Sequence, residues 1–253
     1  MWGYIETGNI SSLTTSSIFH ERESLLMGEG NSLRVLAVGA HPDDVELGCG
    51  ATLALFKRRG HEVYLLVLTK GEASGDPAVR EKECKQSADC IGSDKLFFGN
   101  LKDTKITDGV ETVMEIERFV DRLKPDIIFG HSFKDGHQDH RNAGMATLSA
   151  ARNSKKVLLY ESPAALREFC PQLFVDVTST FDVKLKALEA FGSQATKVYF
   201  KGSDSHNEGR KFPYVSNAAE GLARFRGFQA GAELAEAFEV GKFLLEIEDR
   251  SER

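Results

Sequence analysis

The side chains best suited to chemistry in this chain fall in two short clusters. The first is Ala40-His41-Pro42-Asp43-Asp44-Val45-Glu46-Leu47-Gly48-Cys49-Gly50. It places an imidazole and three carboxylates directly after an apolar run, Leu33 to Gly39. The second is His131-Ser132-Phe133-Lys134-Asp135-Gly136-His137-Gln138-Asp139-His140, after another apolar run. Packing does not require so many ligand-type groups in two turns. Together they predict one metal site assembled from distant parts of the chain.

A hydrolytic zinc site needs about three protein ligands and an open position for water. Histidine and carboxylate ligands suit Zn2+, and also Fe2+ or Co2+. The first cluster can supply His41 and one Asp of the 43/44 pair, and the second a histidine. The other Asp of the pair would then stand beside the attacking water as a general base. The ion lowers the pKa of that water to roughly 7, so a nucleophile forms at neutral pH. A protonated histidine nearby would stabilise an oxyanion and protonate a leaving amine.

Each group also has a plain structural reading. Asp43 or Asp44 alone would cap the helix that starts near Leu47. His137 and His140 alone would be solvated loop residues. The flanking His41 and Glu46, and the interleaved Asp135 and Asp139, favour the site. His131 stands between a supporting role and loop structure. His61, at a helix end, suits the helix dipole. His20 and His206 carry no signal.

These clusters need a scaffold, and the pattern around them supplies one. Strand-like runs lie at 33–39, 62–69, 95–98, 126–130 and 156–160, with helical patterns near 47–59, 77–91, 109–123 and 139–152. Near-continuous apolar strands are expected where both faces of a sheet are covered. The alternation predicts an α/β class, a Rossmann-like three-layer fold with a mostly parallel central sheet. Leu173 to Val177 adds a strand, Asp182 to Phe191 a helix, and 202–217 a loop. Residues 1–31 are polar and turn-rich and read as a mobile N-terminal appendage. Residues 32–253 read as a single domain. In parallel sheets ligands bind beyond the carboxyl ends of the strands. His41–Glu46, Thr69-Lys70-Gly71-Glu72 and His131–His140 all fall there.

The bulk properties exclude several classes. The 253 residues can bury a sizeable core. A net charge of -6 offers no basic footprint for nucleic acid. The four cysteines, Cys49, Cys84, Cys90 and Cys170, form no C-x-x-C pair and suit a reducing cytoplasm. No run reaches the ~18 apolar residues of a membrane span, and the N-terminus lacks a secretory pattern. A cytoplasmic location and no integral membrane segment are the expectation.

The motifs closely resemble those of the PIG-L (LmbE-like) family of zinc-dependent N-deacetylases. That family's Ala-His-Pro-Asp-Asp motif with a following Glu is matched by Ala40 to Glu46. Its His-x-Asp-His is matched by His137-Gln138-Asp139-His140, with Gln138 where proline is common. Thr69-Lys70-Gly71-Glu72, Arg80 with Glu83, Lys184 with Ala187, and Ser193-Gln194 extend the likeness over about 33–195. It continues weakly around Ala235-Glu236-Ala237-Phe238.

The resemblance implies His41, Asp44 and His140 as zinc ligands and Asp43 as general base. It implies His137 as oxyanion stabiliser or acid, with Asp139 orienting it. Arg80 and Glu72 become substrate-binding residues, Arg80 having a helix-face contact with Glu83 as its structural alternative. The implied reaction removes an N-acetyl group from an N-acetylglucosamine-type sugar conjugate, releasing acetate and a free amino sugar. A homo-oligomer is compatible with the resemblance.

Two other readings compete. A metal-dependent phosphoesterase also uses His and Asp clusters, often with two metals. A non-catalytic Rossmann-like binding module would want G-x-G-x-x-G at the first turn. Here the first turn is His-Pro-Asp-Asp, whose carboxylates repel a pyrophosphate. Gly48-Cys49-Gly50 reads instead as close packing at the helix start.

Overall fold

A computed structural model describes residues 32–195 and 214–245. Among these residues seven strands form one sheet: β1 (Arg34–Gly39), β2 (Glu62–Val67), β3 (Lys95–Phe98), β4 (Ile127–His131), β5 (Lys156–Tyr160), β6 (Leu173–Asp176) and β7 (Ala235–Phe243). Their order is β3-β2-β1-β4-β5-β7-β6. The first five pair in parallel, and β7 runs antiparallel to both β5 and β6. The helices are α1 (Asp44–Arg58), α2 (Pro77–Ile91), α3 (Val110–Leu123), α4 (Gln138–Ala150), α5 (Phe181–Glu189), α6 (Gly192–Ala195) and α7 (Tyr214–Ala230).

Strand β1 shows why three layers form. Successive side chains of a strand point to opposite faces. Val35 and Ala37 pack with Leu53 of α1 and Ala88 of α2. Leu36 and Val38 pack with Ile116 and Phe119 of α3 and Ala143 of α4. Both faces are covered, so the strand is apolar at nearly every position.

Local signals set the helix ends. Asp76 accepts the N–H groups of Ala78 and Val79, and Pro77 fills the first helical position of α2. Gly92, at φ 79°, closes that helix in the left-handed region. Among the described residues no helix is long and apolar enough to cross a membrane.

The expected α/β fold with a mostly parallel sheet is what the chain forms. Two elements depart from the sequence reading. Residues 214–217 open α7 rather than closing a loop, and β7 has no counterpart among the expected strands. Helix α7 contains Gly221 and Gly227 and exposes Phe225 and Phe228, so its apolar stripe is faint. Strand β7 buries Glu236 and Glu239 among its apolar residues. Those charges hide it, because the groups that neutralise them come from elsewhere. The 1–31 appendage and most of the 202–217 loop lie outside the described residues.

Candidate active site

Strands β1 and β4 are neighbours in the sheet although their connections diverge, which makes their carboxyl ends a natural crevice. The first cluster leaves β1 there and the second leaves β4. An open cavity of ≈ 630 Å³ lies there, walled by His41, Asp43, Asp44, Arg80, Asp103, His137 and His140 among others.

Asp43 is the N-cap of α1, yet its side chain makes no capping bond. Its φ is 103°, in the left-handed region. Only Thr104 and Lys124 share that feature among the described non-glycine residues. Thr104 lines the same cavity. Such strain persists where surroundings over-determine it and often marks a working site. The capping alternative for Asp43 therefore fails.

Asp44 is the hub. Its Oδ2 accepts the backbone N–H of His41 at 2.7 Å and lies 3.3 Å from His41 Nδ1. Its Oδ1 lies 3.2 Å from His140 Nε2. His131 Nε2 stands 3.1 Å from Oδ2, and its ring stacks on His140. Donors around a tetrahedral ion at about 2.0–2.1 Å stand roughly 3.3 Å apart. The spacing and the N/O donor set therefore fit a divalent ion. Three triads that share His41 or His140, His41–His137–His140, Asp44–His131–His140 and His41–Asp103–Asp139, each bring their ligand atoms within 4.8 Å of one another.

The far nitrogen of each outer imidazole meets a carboxylate. His41 Nε2 lies 3.1 Å from Asp103 Oδ1 and 3.3 Å from Asp139 Oδ2. His140 Nδ1 lies 3.2 Å from Asp135 Oδ2. Such partners fix which ring nitrogen is free to ligate and raise its basicity. Asp135 also accepts His137 N–H at 2.7 Å and the Ser162 hydroxyl. One buried carboxylate thus holds both late histidines.

The charges follow from this packing. Burial disfavours a charged His41, but hydrogen bonds to Asp103, Asp139 and Asp44 outweigh it and raise the ring to about 12. Burial likewise opposes His140, and the Asp44 charge with the Asp135 contact raises it to about 10. Burial works to raise Asp44, but the charges of His140 and His131 hold it well below the usual carboxylate range. Burial and the neighbouring Asp44 push Asp43 up to about 7, against the pull of Arg80. Burial and the positive His140 lower His131 to about 4.

His137 caps α4 by accepting the Asp139 N–H on Nδ1 at 3.2 Å. Its proton therefore belongs on Nε2. Burial and the charges of His140 and His41 lower its pKa. With its proton on Nε2, the ring can donate into the cavity.

Three of the expected site residues make the following contacts. Asp139 meets His137 through its backbone amide, not its carboxylate. The carboxylate, 0 % exposed, accepts Thr104 N–H at 2.7 Å and faces His41. Glu72 is exposed and accepts the Asp103 N–H at 3.0 Å, so it supports the loop behind the cavity. Arg80 belongs to the wall but is only 2 % exposed. Its Nη2 donates to Pro42 O and lies 3.6 Å from Asp43 Oδ2. Glu83 is not its partner, since that carboxylate accepts the N–H and hydroxyl of Ser193. A Cβ on Gly71 would strike the Arg80 guanidinium, so the glycine of Thr69-Lys70-Gly71-Glu72 makes room for it. Asp103 is absent from the sequence reading, although its place just after β3 follows the rule that drew attention to the other clusters.

The PIG-L family model, described as GlcNAc-PI de-N-acetylase, matches residues 36–151. The Escherichia coli (strain K12) protein described as uncharacterized deacetylase YaiS is 32% identical over 178 residues, covering 66% of this chain and 95% of that protein. Diacetylchitobiose deacetylase of Thermococcus kodakarensis is 28% identical, covering 64% of this chain and 70% of that enzyme. The crystal structure of the conserved protein TT1542 from Thermus thermophilus superposes with a TM-score of 0.72 at 26% identity, covering 87% of this chain and 99% of that one. The chain belongs to the PIG-L family of metal-dependent N-deacetylases.

Proposed function

We propose that this enzyme hydrolyses the N-acetyl group of an N-acetylglucosamine-type sugar conjugate, with His41, Asp44 and His140 holding Zn2+. Fe2+ or Co2+ would suit the same donors. The observation that carries the reading is Asp44 between the two imidazoles, each braced from behind by a carboxylate. The metal, when bound, supplies a Lewis acid that acidifies water and polarises a carbonyl.

The chain's own groups complete the reaction. Asp43 faces the cavity from a strained turn and takes a proton from the attacking water. The water oxygen bonds to the acetyl carbon, and the carbonyl oxygen gains negative charge. His137 Nε2–H donates to that oxygen. The C–N bond then breaks, and the proton held by Asp43 passes to the departing nitrogen. Acetate and a free amino sugar result. Arg80 steadies the Asp43 turn through Pro42 O. Substrate selectivity falls to the loops that carry Ala73, Ser74, Asp103 and Thr104 into the wall.

The test is acetate release from a panel of N-acetylglucosamine conjugates by metal-stripped and zinc-reloaded protein. Release that needs metal and is abolished in Asp43→Ala supports the reading. Metal uptake without release from any conjugate, together with turnover of phosphomonoesters, overturns it.

A further inference from the structure

Helix α1 does not run unbroken. At Cys49 the backbone leaves helical values, with φ -145° and ψ 17°. A break leaves carbonyls before it and N–H groups after it without helical partners. Two side chains from distant elements meet those groups. Glu236 of β7 accepts the Ala51 N–H on Oε1 at 3.1 Å and the Thr52 N–H on Oε2 at 2.7 Å. Lys184 of α5 donates to Leu47 O at 2.7 Å and to Glu236 Oε1 at 2.7 Å. Both side chains are buried. Replacing a buried ion pair by apolar groups is often neutral for stability. This pair does more than face itself: its contacts with α1 all fall at the break, on groups that would otherwise be left unpaired.

The piece before the break, Asp44 to Gly48, is little more than one turn. It carries Asp44 at its start and Glu46, whose Oε1 accepts the Ser87 hydroxyl at 2.7 Å. Its far end is held by Lys184 on Leu47 O and by Gly48 against the Tyr160 ring. We propose that the Lys184–Glu236 pair is a positioning device for the metal site. It splices the two halves of α1 and so sets the direction in which Asp44 meets His41 and His140. This rests on the reading of those three residues as the metal-holding set. Neither Lys184 nor Glu236 touches the cavity's reacting groups; both act through the helix.

The test uses full-length, metal-stripped protein titrated with Co2+ against a competing chelator, with the visible spectrum of the Co2+ site recorded. The variants are Lys184→Met/Glu236→Leu and the milder Glu236→Gln. Ile116→Ala, in the opposite layer of the core, is the control. The double variant is expected to melt cooperatively yet bind Co2+ about 10–100-fold more weakly, with an altered spectrum. Glu236→Gln keeps the volume and one acceptor and is expected to move the same way by less. It carries the test if the double variant does not fold. Ile116→Ala is expected to lower Tm and leave affinity and spectrum unchanged.

Wild-type affinity and spectrum in the Lys184 and Glu236 variants overturn the proposal alone. Equal weakening in Ile116→Ala also overturns it, since lost stability then suffices. No Co2+ uptake by the wild type overturns the metal reading, and the proposal with it.

Discussion

Asp44 meets His41 twice: its Oδ2 accepts the His41 backbone N–H at 2.7 Å and lies 3.3 Å from the His41 ring Nδ1. The backbone bond aims the carboxylate before any ion arrives. The remaining oxygen faces His140. A ligand carboxylate fixed in this way loses little freedom on binding metal, which is the advantage of preorganisation.

Metal uptake is expected to release protons. A ligand histidine must be neutral. In the metal-free protein His41 and His140 are raised to about 12 and about 10, so both carry protons at neutral pH. Binding should therefore expel about two protons near pH 7, and apparent affinity should climb with pH. Calorimetry in buffers of different ionisation enthalpy reads the number directly. Uptake without proton release would contradict the assignment of these two rings as ligands. The same shifts make metal-free stability pH-dependent. Their contribution is fully present below about 6.5, the unfolded value, and is lost as pH rises through about 10 for His140 and about 12 for His41.

Asp43→Asn is expected to bind metal normally and to lose about 10²–10⁴-fold in turnover. Asparagine tolerates the positive φ of this position, so the turn should persist. Metal content by elemental analysis, measured beside kcat, separates the base from the ligands. In the wild type, activity should rise with pH as Asp43 deprotonates. A bound cation lowers that midpoint from about 7.

His137 and His140 should part ways. His140→Ala is expected to lose the metal. His137→Ala should keep it and lose about 10²–10³-fold in kcat, the usual effect of removing one oxyanion donor. Similar metal loss in both variants would count against a donor role for His137.

Gly48→Ala should destabilise by about 1–3 kcal/mol, the usual range for overpacking. Its new Cβ would collide with the buried Tyr160 ring. That ring is pinned by its hydroxyl, which donates to Val38 O at 2.8 Å. Thermal melts of Gly48→Ala and Gly48→Ala/Tyr160→Leu test this, because the smaller side chain should recover part of the loss.

The sequence by itself determined the α/β order, the mostly parallel sheet and the two clusters that form the site. Those signals are local: apolar strands, helical periodicity and polar residues bunched just past a strand end are all readable within a few residues. It also determined that Asp43 and Asp44 lie together near His41. Only the tertiary structure decided what each carboxylate does. Asp135 braces its near neighbour His140, but Asp103, from the loop after β3, and Asp139, in the first turn of α4, reach the back of His41. Glu236 and Lys184 reach a helix break that no local pattern announces. A carboxylate or ammonium group in a sequence shows only that it needs a partner. Which partner it finds depends on non-local packing, and that is set when the sheet closes its neighbours together.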